Sequence, residues 1–177
     1  MTSSTNGTVG GSPRSYRAWL LSAIGVIAVV LVIYYAVTSS MGRNLSSADA
    51  NAAKGSTIYQ NRCASCHQDD GQGIAGAYPP LALSERVAGD RSTLISIVLH
   101  GMQGPITVHG VKYNGVMPST MDVLSDDEVA AVLNYVRGSW GVRPTDKGTV
   151  DASMVEDVRK RTAHRVTPWT ETELEGH

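Results

Sequence analysis

The sequence contains no phenylalanine and only two cysteines in 177 residues. Without phenylalanine, the bulk of a packed core must come from tyrosine, tryptophan, leucine and valine, and a large prosthetic group would reduce the need for aromatic side chains. Charged residues make up 18% of the chain, and the formal net charge is −1. This balance gives no reason to expect a nucleic acid or an acidic substrate as partner. The length suits one domain with appendages.

The two cysteines belong to one short motif, Cys63-Ala64-Ser65-Cys66-His67. A structural zinc site usually takes four ligands from two such pairs, and the sequence has no second pair. A thioredoxin-like redox pair follows a strand in a βαβ context, which this sequence does not predict. Cys-x-x-Cys-His is the attachment motif for c-type haem, with two thioether bonds and one iron ligand from the histidine. The motif therefore predicts one covalent haem c, with Cys63, Cys66 and His67 as its binding residues.

A long apolar run, Trp19 to Val37, precedes this motif and contains no charged residue. As a helix it would be about 28 Å long, close to the hydrocarbon thickness of a bilayer. The alternative is a cleaved signal peptide, but the run is longer than an ordinary signal-peptide core. The nearest small-x-small site, Ala48-Asp49-Ala50, also lies too far beyond it. We expect one uncleaved transmembrane helix over residues 18–38, after a disordered cytoplasmic N-terminus, 1–17.

The charges around the run predict its orientation. Arg14 and Arg17 precede it and should remain in the cytoplasm, which places the rest of the chain across the membrane. Covalent haem attachment in bacteria also takes place outside the cytoplasmic membrane. The prediction is a single-pass protein of the bacterial cytoplasmic (inner) membrane, with its haem domain on the periplasmic side.

The remaining chain divides into a linker (39–47), a cofactor domain (48–142) and a polar tail (143–177). The predicted elements are helices at Ala48 to Arg62 with a cap at Ser46, about Asp90 to Leu99, Ser125 to Gly138, and Ala152 to Thr162, and a small hairpin around His109-Gly110. Of these, the helix after Ser125 has the clearest start, because Glu128 completes a capping box. The tail helix could pack on the cofactor domain, dock a partner or remain solvated.

Over residues 50 to 140 the pattern resembles class I cytochromes c. In that family a glycine, an aromatic residue and the first cysteine follow at steps of four, as Gly55, Tyr59 and Cys63 do here. The last helix of the family crosses there with an apolar residue and an aromatic three apart, which Val132 and Tyr135 match. The resemblance implies an all-α cytochrome c fold around one covalently bound haem.

The resemblance also implies a proline about a dozen residues after the iron-binding histidine, whose carbonyl bonds the imidazole N–H. Pro79 and Pro80 both fit, and Pro79 is twelve residues after His67. Such a bond would fix the orientation and tautomer of the ring. The sequence does not separate the two prolines.

The family usually supplies the sixth iron ligand from a methionine in a loop before the last helix, often followed by proline. Met117-Pro118 fits this description, so we expect His67 and Met117 to be the iron ligands. The alternatives are Met121, Met102 and, for a bis-histidine haem of lower potential, His100 and His109. We interpret His100 as a helix-end residue and His109 as a turn residue.

Iron with both axial positions filled has no vacancy for oxygen or peroxide. We therefore expect a non-enzymatic one-electron carrier without a small-molecule substrate, either free-standing or a subunit of a dehydrogenase or oxidase complex. Its expected partners are a quinol-oxidising complex or dehydrogenase and a terminal oxidase or reductase. The domain from Asn44 to Val142 has six basic and nine acidic residues, so docking should not depend on a lysine-rich surface. The alternative is a displaceable sixth ligand in a peroxidase-like or gas-sensing cytochrome.

Overall fold

The computed structural model describes residues 14–146 and 148–175, which fall into two compact units divided between Ser47 and Ala48. Each unit is described by itself. Of the N-terminus predicted to be disordered, residues 1–13 lie outside the described part. Residues 14–17 belong to helix α1 (Arg14–Arg62), because no glycine or proline interrupts the chain between Arg14 and Gly25.

The first unit contains the apolar run. Within the described residues, Trp19–Ser39 is the one helical stretch long and apolar enough to cross a membrane, by length and composition, with a mean hydropathy of 2.6. The predicted linker 39–47 lies within the bounds of α1. The helix start predicted at Ser46 is therefore wrong, since the segment has no proline and only one glycine, Gly42, to interrupt a helix.

The second unit carries the other elements. They are α2 (Ala64–His67), α3 (Glu85–Ala88), α4 (Arg91–His100), β1 (Met102–Val108), β2 (Val111–Met117), α5 (Asp126–Arg137), α6 (Ala152–Arg161) and α7 (Glu171–Glu175). Local capping explains three of the starts. Asp90 accepts the Thr93 N–H before α4, Ser125 and Glu128 form the predicted capping box before α5, and Asp151 accepts the Met154 N–H before α6.

The antiparallel pair of β1 and β2 corrects the all-α prediction. The two strands pair from Met102 with Met117 to Val108 with Val111. His109 (φ 49°) and Gly110 (φ 76°) form the two-residue turn, which confirms the predicted hairpin. β-Branched residues are frequent in this segment and favour strands over a helix, so the domain is helical with one small sheet.

The main core lies among α4, α5 and α6. Ile95 and Leu99 of α4, Val129 of α5, and Val155 and Val158 of α6 are all less than 2% exposed. Because α6 supplies part of this core, the tail packs on the domain and is not a solvated extension. Burying such side chains stabilises a fold by about 1.5–3 kcal/mol each.

Helices α1 and α5 cross at a glycine, as the family resemblance implies. A Cβ atom at Gly55 would overlap the Ala131 carbonyl oxygen of α5 and would lie 2.8 Å from the Tyr135 Cβ. Tyr59 and Val132 are buried in the cluster beside this crossing. The close approach brings α5 against the end of α1, where the cysteine motif begins.

Candidate functional site

The cysteine motif lies in one tight turn that follows α1. The Cys63 N–H donates to the Tyr59 carbonyl (2.8 Å), and the His67 N–H donates to the Cys63 carbonyl (2.9 Å). Cys63 and Cys66 are half-buried free thiols. Burial, reinforced by the nearby Cys66, raises the pKa of the Cys63 thiol to about 11, so this thiol is neutral at pH 7.

The imidazole of His67 is held by one backbone carbonyl. Its Nδ1 lies 2.9 Å from the carbonyl oxygen of Pro79. A carbonyl can only accept, so Nδ1 carries the proton and Nε2 keeps a free lone pair in the neutral ring. Burial lowers the pKa of His67, which favours this neutral form. The contact uses Pro79, whereas Pro80 is buried beside it.

A glycine allows the loop after His67 to reach that position. Gly73 has φ 64°, and its N–H donates to the His67 carbonyl (2.9 Å). A Cβ atom there would overlap the Tyr78 carbonyl oxygen and lie 2.7 Å from the Pro79 oxygen. Any larger residue would therefore displace the carbonyl that holds His67.

Tyr59 supports the same turn from inside the domain. Its side chain is fully buried, and its hydroxyl donates to the Gln68 carbonyl (2.6 Å). The ring packs against Tyr135 and Trp140, at centroid distances of 5.6 and 4.9 Å. Burial raises the pKa of Tyr59 well above its usual value, so the hydroxyl remains a donor. The family resemblance identified Tyr59 as a packing residue but did not indicate this hydrogen bond.

Met117 lies at the end of β2, away from the cysteine turn in sequence. Its half-buried side chain packs against a cluster formed by Ile97, Met102, Trp169 and Leu174. Met102, its partner across the hairpin, is only 6% exposed within this cluster.

Met121 lies in a different environment. Its side chain packs against the main core, and its sulfur accepts a hydrogen bond from the Arg159 guanidinium (Nη1 to Sδ, 3.4 Å). Nothing in the sequence indicated this contact, because the local pattern around Arg159 does not show what it touches.

The two histidines considered as alternative iron ligands lie where they were interpreted to lie. His100 ends α4, is 5% exposed, and its Nε2 lies 2.7 Å from the Thr162 hydroxyl. His109 is in the hairpin turn, with Nε2 3.2 Å from the Leu83 carbonyl oxygen. Within residues 14–146 and 148–175, no group of three or more histidine, cysteine, aspartate or glutamate side chains could hold a metal ion alone.

The donor set of this region fits a covalently attached haem. Two thiols and an imidazole with a free Nε2 lie within five consecutive residues, and the imidazole orientation is fixed by Pro79. Each thiol would form one thioether bond to a haem carbon, and the imidazole would bind the iron, so all three groups have a role. The structure thus brings together Cys63, Cys66, His67 and Pro79, while Met117 belongs to a separate cluster on the hairpin.

Comparison with known proteins agrees with this geometry. The family profile described as cytochrome c matches residues 52–140. Cytochrome c-552 of Thermus thermophilus is 48% identical over 120 residues, which cover 66% of this chain and 89% of that protein. The cytochrome c subunit of a quinone alcohol dehydrogenase from Gluconacetobacter polyoxogenes is 33% identical over 71% of this chain and 26% of its own length. The cytochrome c subunit of gluconate 2-dehydrogenase from Pantoea cypripedii is 39% identical over 60% of this chain and 24% of its own length.

Proposed function

Because this chain belongs to the cytochrome c family, whose members transfer electrons through covalently bound haem c, we propose that it is a membrane-tethered one-electron carrier of a respiratory chain. Haem c supplies a redox couple that exchanges one electron at a time. In this proposal the protein would attach and orient the group, supply the ligands of its iron and exclude water. The contact of His67 with Pro79 is the observation that carries the proposal, since it leaves one imidazole nitrogen ready to bind iron.

Each residue of the cysteine turn has a separate task. Cys63 and Cys66 would hold the haem through thioether bonds, and the His67 Nε2 would bind its iron. The Pro79 carbonyl accepts a hydrogen bond from the His67 Nδ1–H and holds the ring plane, which also raises the basicity of the ligand. Tyr59 holds the turn that carries all three groups through its bond to the Gln68 carbonyl.

We assign the second axial position to Met117. Its hydrogen-bonded strand gives it a fixed backbone, and its side chain is half-buried. The sulfur of Met121 already accepts a hydrogen bond from Arg159, and Met102 is buried in the cluster below the hairpin. Of the competing histidines, His100 is buried at the end of α4 and bonded to Thr162, while His109 lies exposed in the hairpin turn.

A thioether ligand stabilises the reduced state relative to a second imidazole and so raises the reduction potential. A closed second position also leaves no vacancy for oxygen or peroxide, which favours electron transfer over a peroxidase-like or gas-sensing role. We also propose that no small-molecule substrate binds or reacts at the haem.

The tether is supported by the apolar stretch Trp19–Ser39. Arg14 and Arg17, which precede it, favour an orientation with the haem domain on the periplasmic side of the inner membrane. A tether limits the search for partners to the membrane surface and raises their effective concentration. The partners we propose are membrane oxidoreductases, because relatives of this chain include cytochrome c subunits of dehydrogenases.

Optical spectroscopy tests the proposal on the full chain, produced with c-haem maturation machinery. A closed carrier gives a low-spin ferrous spectrum that does not change with carbon monoxide, and a methionine-to-iron charge-transfer band when oxidised. Rapid binding of carbon monoxide to the unmodified protein would instead identify a cytochrome with an open or displaceable position.

A further inference from the structure

The C-terminal tail contacts β1, the strand that pairs with the Met117-bearing strand β2. Met102 of β1 lies opposite Met117 of β2. On the other edge of β1, the Trp169 N–H donates to the Gly101 carbonyl (3.0 Å), and the Gln103 N–H donates to the Trp169 carbonyl (2.8 Å). Trp169 thereby adds one parallel bridge to the hairpin at the level of Met117.

The tail also contacts the segment that follows Met117. Arg159 of α6 donates through Nη1 to the Met121 carbonyl (2.5 Å), through Nη2 to the Leu124 carbonyl (2.9 Å), and through Nε to Asp126 (2.7 Å). One guanidinium therefore holds the loop between β2 and α5 by two carbonyls and a carboxylate. Hydrogen bonds of a charged donor are among the stronger ones in proteins.

The C-terminal end of α4 contacts Met117 and the residues that follow it. The hydroxyl of Ser119 donates to the Leu99 carbonyl, and that of Thr120 to the Val98 carbonyl, both at 2.6 Å. A Cβ atom at Gly101 would overlap the Met117 carbonyl oxygen, so α4 ends directly against the Met117 backbone. His100, the last residue of α4, is bonded to Thr162 of the tail.

We infer that the tail is a positioning element for Met117, with Arg159 and Trp169 as its two attachment residues. The inference rests on the proposed role of Met117 as axial ligand. A single coordinate bond from the Met117 sulfur to iron would resist exchange only while the backbone on both sides of Met117 stays in place. Releasing either attachment raises the fraction of molecules in which Met117 is displaced, and an added ligand then binds with an apparent affinity that rises in proportion to that fraction.

Imidazole is a suitable probe because it can bind the iron only where Met117 has left. Imidazole is titrated into the oxidised holoprotein while the methionine-to-iron band is followed. Arg159→Met keeps a long aliphatic stem and removes all the hydrogen-bond donors of the guanidinium. It should tighten the apparent affinity for imidazole by about tenfold. Trp169→Ala keeps the two backbone hydrogen bonds but removes the buried indole that packs with Met102 and Met117, so it should act in the same direction. The matched control is Lys160→Gln, at the adjacent, 67% exposed side chain of the same helix, which should leave the affinity unchanged.

A second readout separates positioning from general stability. In urea, the variants should lose the band at a lower concentration than their far-ultraviolet helical signal, with a gap wider than in the unmodified protein. If Arg159→Met fails to bind haem, Arg159→Lys replaces it in the experiment. This variant keeps the charge but has fewer donors, so its imidazole affinity should rise above that of the unmodified protein by less than tenfold. The urea midpoints of the band and of the helical signal could instead fall by the same amount, with an unchanged imidazole affinity. That result would mean that the tail only stabilises the fold, and would overturn the inference.

The same series identifies a failure of the ligand assignment itself. A band that persists in Met117→Ala would overturn the proposed role of Met117, and this inference with it. A band that depends on Met117, combined with unchanged imidazole affinity in the Arg159 and Trp169 variants, would overturn the inference alone.

Discussion

Asn134 of α5 makes two hydrogen bonds to the backbone of Val150, which lies in the tail. Its Nδ2 donates to the Val150 carbonyl (2.7 Å), and its Oδ1 accepts from the Val150 N–H (2.8 Å). The side-chain amide thus pairs with a buried residue as a neighbouring strand would. Val150 is 3% exposed, so these backbone groups have little access to water.

We expect Asn134→Ala to lower the free energy of unfolding by about 2 kcal/mol, because it leaves a buried donor and acceptor without partners. Asn134→Asp should cost a similar amount, since a carboxylate cannot donate to the Val150 carbonyl. Urea unfolding of the holoprotein measures both. Ser153→Ala, at an exposed position of the tail, is the control, and an Asn134→Ala variant as stable as this control would contradict the prediction.

The helix crossing gives a second prediction. Gly55→Ala places a Cβ atom against the Ala131 backbone, which cannot move aside without shifting α5. Overpacking of this kind costs about 1–3 kcal/mol. Because the crossing lies beside Tyr59, we also expect a lower yield of attached haem, measured by the haem absorbance per polypeptide.

Gly115→Ala is the matched control for this change. The nearest atom to its new Cβ would be the Ala77 carbonyl oxygen at 3.8 Å, an ordinary contact. If both variants had the same stability and haem content, the close approach of α1 and α5 would not be what requires glycine at residue 55.

Structural features that depend on residues close together in sequence could be predicted, whereas those that depend on distant residues could not. The helix start at Ser125 and the hairpin turn at His109-Gly110 were predicted because each depends on residues a few positions apart. The contacts of Asn134 with Val150 and of Arg159 with Met121 were not, since isolated polar residues carry no periodic pattern. The choice between Pro79 and Pro80 required coordinates for a similar reason: the two carbonyls are one residue apart, and only the backbone path selects one.

The pH dependence of stability should reflect His100. Burial lowers the pKa of this imidazole, and Arg165 lowers it further, with Arg159 and His164 also nearby. A depressed pKa means that the unfolded chain binds a proton more readily than the folded one. The contribution of His100 is therefore complete above the unfolded pKa of about 6.5 and is lost as the pH falls below it.

For one such group the slope cannot exceed about 1.4 kcal/mol per pH unit. We expect His100→Gln, which can still bond Thr162 but does not titrate, to flatten the fall in stability between pH 7 and pH 5. Urea unfolding across this range measures the slope, with His109→Gln in the exposed turn as the comparison. An unchanged slope in His100→Gln would show that His100 takes up no extra proton on unfolding.

The axial ligands give the last prediction, which concerns the reduction potential. Met117→His replaces a thioether with an imidazole at the residue that we propose as an iron ligand. A second imidazole stabilises the oxidised state. The midpoint potential should fall, and the methionine-to-iron band should disappear while the haem remains low-spin. Met121→His changes a side chain whose sulfur already accepts a bond from Arg159, so it should keep the band and much of the potential. The opposite pattern, with the band lost in Met121→His and retained in Met117→His, would move the ligand to Met121. The loop held by Arg159 would then carry the iron ligand itself.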